Sequence, residues 1–457
     1  MAQRPVVIVS NRGPLSFRRE EDGQLVARRG AGGLVSGLAP LVTGTDTVWI
    51  AAAISEGDRE AAEQGVVDAE GFRVRLLALD AERYRAAYDV VCNATLWFLH
   101  HGLYDLARRP RFDRRFRDAW EAYREVNRAF ADAVAESAPE GAAVLVQDYH
   151  LALVAPTLAE RRPDLRLVHF SHTPFANPDL WRVLPLDLGR ELLAGMAAHH
   201  ACGFHSERWA ASFRACCEEQ LGQAPPTFVA PLAPDADDIR GVAGGDACGR
   251  ALTELDQLLG DRAFVVRVDR IELSKNILRG FHAFEDLLER RPEWRERVVF
   301  GAFVYPSREG LPEYLAYRQE VESTVSRINE RWATPGWTPI LFDPSDDFPR
   351  SVAALRRADV FLVNPIRDGL NLVAEEGPLV NERDALLLLS PEAGVWDQLA
   401  GAARAVHPYD ITGTADALAD ALAATPAERA AEATELRRRA EARRPQDWLA
   451  DQLAAAG

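Results

Sequence analysis

Val360-Phe361-Leu362-Val363-Asn364-Pro365-Ile366-Arg367-Asp368-Gly369-Leu370-Asn371-Leu372-Val373-Ala374-Glu375-Glu376 is the stretch on which the reading of the fold turns. It passes from four consecutive apolar residues, through a turn with Pro, Asp and Gly, into a segment that opens as a helix. An apolar run without polar alternation is the pattern of a strand covered on both faces, which belongs to a parallel sheet flanked by helices. Similar runs recur at Val6–Ser10, Val48–Ala53, Phe72–Leu77, Val144–Gln147, Leu167–Phe170, Phe264–Val268, Val298–Phe303 and Leu386–Ser390. Helical periodicity lies between many of them. In Phe116–Ala135, Trp120, Tyr123, Val126, Asn127, Phe130 and Val134 recur every three to four residues. The class is therefore α/β, with ligands expected beyond the carboxyl ends of the strands.

A chain of 457 residues exceeds what one core usually serves, so two or three domains are expected. The Pro-, Asp-, Ala- and Gly-rich segment Ala224–Gly249 is read as the boundary, because the strand and helix pattern restarts near Phe264. The division is 1–235, 236–435 and a C-terminal helical segment 436–457 that packs back, anchored by Trp448 and Leu449. A cleft between two α/β domains is expected.

Bulk properties narrow the function. Apolar residues make up 47% and charged residues 27% of the chain. No apolar run approaches the roughly eighteen residues of a membrane span, and the N-terminal apolar stretch is too short for a signal peptide. The expected location is the cytoplasm, without membrane partners. Five cysteines without CxxC spacing read as reduced thiols. A net charge of −16 argues against nucleic-acid binding while leaving room for a small basic cleft that takes phosphorylated metabolites.

Five segments could carry chemistry. The first strand ends in Ser10-Asn11-Arg12-Gly13-Pro14, and a glycine-rich turn follows at Gly30-Ala31-Gly32-Gly33-Leu34. Glycines there let backbone amides approach an anion, although a tight strand-to-helix connection explains them equally. Arg267-Val268-Asp269-Arg270-Ile271-Glu272-Leu273-Ser274-Lys275-Asn276 places Arg270 and Lys275 after a strand, where two cations suit a diphosphate leaving group. The alternative is an ion-pair loop with Asp269 and Glu272. In the opening stretch, Asp368 could hold sugar hydroxyls, the amides of Asn371, Leu372 and Val373 a diphosphate, and Glu376 a ribose; Asp368 or Asn371 could instead cap the helix. Gln147-Asp148-Tyr149-His150 and His169-Phe170-Ser171-His172-Thr173-Pro174-Phe175 bring a carboxylate and imidazoles to successive strand ends, as hydroxyl-orienting or proton-handling groups or as structural residues. Asp235-Ala236-Asp237-Asp238 has the spacing of a cation site but no strand before it, so it reads as a turn and helix cap and no metal is expected. Ser345-Asp346-Asp347 likewise looks like a helix start, and Arg108, Arg109 and Arg111 like an exposed turn.

In their order and spacing these segments resemble glycosyltransferase family 20, the trehalose-6-phosphate synthases. The resemblance rests on Ser10-Asn11-Arg12, Gly32-Gly33-Leu34, Tyr88 with Asn93-Ala94-Thr95-Leu96-Trp97, and Asp148-Tyr149-His150. It continues through His172-Thr173-Pro174-Phe175, Arg270 with Ser274-Lys275, and Asp368-Gly369-Leu370-Asn371-Leu372-Val373 with Glu376. It implies the GT-B type: two Rossmann-like domains facing across a cleft, the first for the acceptor and the second for the nucleotide sugar. It also implies retaining glucosyl transfer from GDP- or UDP-glucose to glucose 6-phosphate, with no cofactor beyond the co-substrate. By position, Arg270, Lys275, Asp148, His172 and Asp368 would be catalytic. Gly32, Gly33, Arg270, Lys275, Asp368, Asn371, Leu372, Val373 and Glu376 would bind the donor. Arg12, Tyr88, Trp97, Asp148 and Arg308 would bind the acceptor. A homo-oligomer is compatible with this reading.

Two positions depart from the family pattern. Many relatives have a second tryptophan where this chain has Ala52, and often a glycine where it has Asn276. Asn276 and Glu376-Gly377-Pro378-Leu379-Val380-Asn381-Glu382-Arg383-Asp384 are similar to a pseudoglycosyltransferase branch that joins cyclitols through a C–N bond, as in validoxylamine 7′-phosphate synthase. A non-catalytic sugar-phosphate sensor is the alternative from another class. Other segments, such as Trp332-Ala333-Thr334-Pro335-Gly336-Trp337-Thr338-Pro339, look like the actinobacterial branch.

Overall fold

In the computed structural model, residues 4–20, 24–29, 38, 42–308 and 310–457 are described. Gly32 and Gly33 lie outside them. The chain divides into two compact units, unit 1 comprising Met1–Leu232 with Pro445–Gly457, and unit 2 comprising Ala233–Arg444.

Unit 1 holds strands β1 (Val6–Val9), β4 (Val48–Ala52), β5 (Val66–Ala69), β6 (Phe72–Leu77), β7 (Ala143–Gln147), β8 (Arg166–Ser171), β9 (Ala201–Phe204) and β10 (Thr227–Val229). They form one sheet in the order β10-β9-β8-β7-β1-β4-β6-β5, parallel except for the antiparallel edge strand β5. Strands β2 (Leu15–Arg19) and β3 (Leu25–Arg29) make a separate antiparallel ribbon. The chain runs outward from β1 first toward β4 and later toward β7, so the topological switch falls between β1 and β7. At the β9 crossing Gly203 is required by space: a Cβ there would lie 2.4 Å from ring carbons of both Phe170 and Phe228.

The helix Arg114–Ser137 shows how sequence sets the cover. Asp113 caps it by accepting the Phe116 amide, and Trp120, Tyr123, Val126, Asn127, Phe130 and Val134 are all buried, the expected stripe. The helix Pro445–Ala455 packs on β7 and β8, with Leu449 and Leu453 against Leu145 and Val168. Trp448 is fully buried, edge-on to Phe170 at 5.2 Å between centroids. The preceding helix, Pro426–Ala440, belongs to unit 2. The chain thus crosses back at Pro445, where Arg443-Arg444-Pro445 interrupts the helical pattern.

Unit 2 holds β11 (Ala263–Ile271), β12 (Val298–Pro306), β13 (Ile340–Asp343), β14 (Val360–Val363), β15 (Leu386–Leu389) and β16 (Arg404–Ala405). Their order is β13-β12-β11-β14-β15-β16, all parallel. The switch falls between β11 and β14. The segment read as a linker is ordered: it contains β10, the helix Ala236–Ala243 and the start of the helix Asp246–Leu259. Its prolines flank β10, and its glycines fall inside or between the two helices, at Gly241, Gly244, Gly245 and Gly249, which disguised these short elements. Among the described residues no helix is long and apolar enough to cross a membrane, and all five cysteines are free and buried.

Candidate functional site

In each unit the sequence-selected residues gather where strands end at the switch point, the place at which parallel α/β sheets bind ligands. In unit 2 these are the end of β11, where Arg270 stands inside the strand and not in the loop after it as expected, because the strand runs on to Ile271, and the loops after β11, β12 and β14. Arg267 lies inside β11 with its side chain 0% exposed. Its guanidinium donates to Asp269 Oδ2 at 2.9 and 3.2 Å and to the Lys275 carbonyl at 2.8 Å, so it fixes the loop that carries Lys275. Lys275 Nζ lies 2.6 Å from Asp368 Oδ2 and 3.8 Å from Asp269 Oδ1. Burial pulls the ammonium down, but Asp368, Asp269 and Glu272 outweigh it, and its pKa ends above the ordinary lysine value. For Asp269 burial prevails over Arg267 and Lys275 and raises its pKa.

Arg270 and Arg308 share a third carboxylate. Glu272 Oε1 is 3.2 Å from Arg270 Nη1 and 3.6 Å from Arg308 Nη1, and it accepts the Ser307 hydroxyl at 3.1 Å. Arg308 also donates to the Tyr314 hydroxyl at 2.8 Å. The ion-pair loop anticipated as an alternative therefore exists, and it holds the cations. Among the described residues, four cations, Arg267, Arg270, Lys275 and Arg308, stand against three carboxylates, Asp269, Glu272 and Asp368. This excess, with Arg270 still 47% exposed, leaves capacity for an anion.

The β14 loop is shaped by backbone bonds. Asp368 donates its amide to the Glu392 carbonyl at 3.1 Å, and its own carbonyl accepts the Gly394 amide at 3.1 Å. Asn371, at φ 92°, donates to Asp368 Oδ2 at 3.1 Å and accepts the Ala374 amide at 3.3 Å. Of the two capping candidates, Asn371 reaches the helix Val373–Val380, taking the Ala374 amide from one residue before the N-cap Leu372, while Asp368 pairs with Lys275. The amides of Leu372 and Val373 belong to the first turn, which a helix cannot satisfy internally. Burial pushes the Glu376 carboxyl up to about 7.

Asn276 accounts for one departure from the family pattern. It sits in the left-handed region at φ 60°, a conformation that asparagine tolerates. Its amide donates to the carbonyls of Asn364 at 2.9 Å and Pro408 at 2.6 Å, and its Oδ1 accepts from Arg279 at 2.8 Å. A glycine would adopt the same backbone without tying these loops together.

In unit 1 the groups are mostly uncharged. Ser10 Oγ accepts from Trp49 Nε1 at 2.7 Å and donates to the Arg12 carbonyl at 2.6 Å, setting the backbone of Arg12 beyond β1. Asn11 accepts from the Tyr84 hydroxyl at 3.1 Å. Tyr88 lies in a π-helical stretch, Ala86–Leu96, stacked between Tyr84 at 5.6 Å and His150 at 5.7 Å. Trp97 is buried, 3% exposed, and stacks on His101 at 4.2 Å. Ala52 is buried at the end of β4, with its amide on the Asn11 carbonyl at 3.2 Å. Asp148 follows β7 at φ 71°; its Oδ1 accepts the His172 amide at 3.2 Å and its Oδ2 lies 3.8 Å from His150 Nδ1. His172 Nε2 is 3.0 Å from Gln147 Oε1, and its Nδ1 is 3.2 Å from His205 Nε2.

Asp235 caps the helix Ala236–Ala243, accepting the amides of Asp237 and Asp238 at 3.1 Å each, the helix-cap role expected of it. Asp347 caps Phe348–Arg357 by accepting the Arg350 amide. Arg108, Arg109 and Arg111 are exposed. Sequence reasoning passed over Arg267, Gln147 and His205. An arginine inside the apolar run of β11 was a signal; the other two became visible only through their partners.

Two Rossmann-like units in one chain, each with its polar cluster at a switch point, are the architecture of the GT-B glycosyltransferases. Comparison with known proteins gives the family. The description "Glycosyltransferase family 20" matches residues 4–456. A trehalose-6-phosphate synthase of Mycobacterium sp. (strain KMS) is 33% identical over 447 residues, covering 92% of this chain and 88% of that protein. A bifunctional trehalose-6-phosphate synthase/phosphatase of Thermoproteus tenax is 32% identical over 441 residues; the alignment takes in 91% of this chain but only 58% of that longer protein. A crystal structure of a UDP-forming α,α-trehalose-phosphate synthase from Burkholderia xenovorans, in complex with glucose-6-phosphate, superposes with a TM-score of 0.86 at 27% identity, covering 99% of both chains. The chain belongs to glycosyltransferase family 20.

Proposed function

We propose that this chain is an α,α-trehalose-phosphate synthase that transfers glucose, with retention at the anomeric carbon, from UDP- or GDP-glucose to glucose 6-phosphate. The observation that carries the reading is the Lys275–Asp368 pair at 2.6 Å, which joins a cation for the leaving diphosphate to a carboxylate for the sugar across two strand ends. Arg270, Arg308 and the first-turn amides of Leu372 and Val373 add positive potential.

In this reading unit 2 takes the nucleotide sugar. Arg270 and Lys275 neutralise charge on the diphosphate, Asp368 and His172 orient the glucosyl group, and Glu376 meets the ribose. Arg12, Tyr88, Trp97, Asp148 and Arg308 are assigned to glucose 6-phosphate. The bond from the anomeric carbon to the phosphate oxygen breaks as that carbon bonds the acceptor oxygen on the same face. The acceptor's proton passes to the departing phosphate oxygen, so no protein nucleophile is needed and catalysis rests on position and charge.

The test incubates purified protein with glucose 6-phosphate and a panel of nucleotide-glucoses, with and without added divalent metal, and identifies the product by mass and linkage. An α,α-1,1-linked disaccharide phosphate is expected. Failure with every donor, or coupling of a cyclitol amine phosphate instead, overturns the reading.

A further inference from the structure

A chain of hydrogen bonds runs through the core of unit 1 from a backbone amide to the helix Pro445–Ala455, and its direction is fixed at one end. The Leu232 N–H lies 3.3 Å from His205 Nδ1, and a backbone amide can only donate. His205 Nδ1 is therefore an acceptor, and in the neutral ring the proton sits on Nε2. That nitrogen faces His172 Nδ1 at 3.2 Å, which must accept. His172 then carries its proton on Nε2 and donates to Gln147 Oε1 at 3.0 Å. With its oxygen so engaged, Gln147 turns its amide nitrogen to Gln452 Oε1 at 3.0 Å, a partner 305 residues away. Each link leaves one orientation for the next. Gln147 and Gln452 are both 0% exposed, so water does not substitute for either bond.

We propose that Gln147 and Gln452 are positioning residues which hold His172 as the neutral Nε2–H tautomer. The proposal rests on the reading above, in which His172 orients the glucosyl group. The anomeric carbon gains positive charge as the phosphate departs, so an imidazolium beside it would oppose the reaction whereas a neutral ring does not. Gln147 and Gln452 enforce neutrality because an amide oxygen stabilises the proton on Nε2 without the attraction a carboxylate would add for a second proton.

The surroundings agree. The titratable groups facing His172 are His205, just after the adjoining strand β9, His169 on β8 itself, and Asp148, whose Oδ1 takes the His172 amide. The returning helix offers Trp448, with its ring 5.6 Å away, and Gln452, neither of which titrates. Burial, with His205 adding to it, holds His172 well below the ordinary histidine pKa, and burial brings His205 down to about 3.

The experiment reads the tautomer directly, by long-range ¹H–¹⁵N correlation on histidine-labelled full-length protein, and the rate separately. In the parent, His172 should be the neutral Nε2–H form from about pH 6 to 8, around the ordinary histidine range. Gln452→Met keeps helix packing but removes the acceptor. Without that acceptor the Gln147 carboxamide is free to flip and turn its nitrogen on His172 Nε2, against the direction set at Leu232, so His172 should give mixed tautomer signals and kcat should fall about tenfold, the scale of one lost hydrogen bond, while acceptor KM stays within about twofold. Gln452→Glu retains an acceptor oxygen and should restore both readouts toward the parent. A charged or Nδ1–H His172 in the parent overturns the proposal, and so does a Gln452→Met variant with unchanged tautomer and kcat. If Gln452→Met does not fold, the parent spectrum and the Gln452→Glu variant decide. An inactive parent sinks the functional reading alone, because the tautomer is still measured.

Discussion

The strand ends of unit 2 are populated by ions and those of unit 1 mostly by neutral groups. In unit 2 a buried arginine braces a lysine, the lysine reaches a carboxylate after the neighbouring strand, and two further arginines share one glutamate. In unit 1 two imidazoles and two carboxamides connect in series, and a carboxylate beside them, Asp148, accepts a backbone amide. Both are polar networks in parallel sheets of the same construction. An ion network keeps its strength only while every charge is compensated, so it can accept a charged ligand by exchanging partners. A neutral network has no charge to exchange; its strength lies in direction.

The contrast breaks most visibly at Lys275. Lys275→Ala removes a contact to developing charge and takes the ammonium from Asp368, so kcat/KM for the donor should fall by at least about a hundredfold, from roughly 2.7–4 kcal/mol of lost stabilisation. Steady-state kinetics with each substrate varied in turn check this; a loss confined to acceptor KM would place Lys275 elsewhere. Arg308→Ala should weaken acceptor use by roughly ten- to a hundredfold, on the order of one charged hydrogen bond of about 1.5–3 kcal/mol. Equal, small effects from the two substitutions would erase the division of labour.

Asn276→Gly relaxes the backbone at φ 60° but cuts the amide bonds to Asn364 and Pro408. At about 1 kcal/mol per bond, offset in part by the relief at the left-handed position, unit 2 should lose roughly 1–2 kcal/mol in denaturant unfolding. Asn276→Ala should lose more, since alanine keeps the strain and makes no bond. Glu376→Gln sharpens the comparison by pH. The folded carboxyl has its pKa raised to about 7 from an ordinary 4.5, so the folded protein binds the extra proton between those values. Stability therefore declines as pH rises from about 4.5 and the loss is complete above about 7. The glutamine variant should melt higher than the parent at pH 8, with the difference vanishing near pH 4.5; a constant difference in Tm across that range would count against a buried Glu376.

Much of this was legible in the residues. The apolar runs marked nine strands of the two sheets, and the stripe from Trp120 to Val134 marked the helix Arg114–Ser137, although its cap at Asp113 went unread. The strand Ala201–Phe204 escaped because Ala-Cys-Gly-Phe is small and weakly apolar, its Gly203 demanded by two rings from elsewhere in unit 1. Thr227–Val229 was hidden among prolines. Arg270, Lys275 and Asp368 could be selected because each follows an apolar run. Their pairing could not, since Lys275 and Asp368 stand 93 residues apart and meet only because β14 is inserted beside β11. Asn276 looked like a loss when set against a glycine, and only the carbonyls around it explain the side chain.

Residues 445–457 complete unit 1 although they are synthesised after all of unit 2. At about 5–20 residues per second, the ribosome needs on the order of ten to forty-five seconds to pass from the end of the first segment to this last piece. Through that interval the surface of β7 and β8 that will receive Trp448, Leu449 and Leu453 is bare, and Gln147 lacks its acceptor. The nascent chain thus presents an apolar face that a chaperone could cover. The hydrogen-bond series in unit 1 can be completed only once residues 445–457 have followed unit 2 off the ribosome.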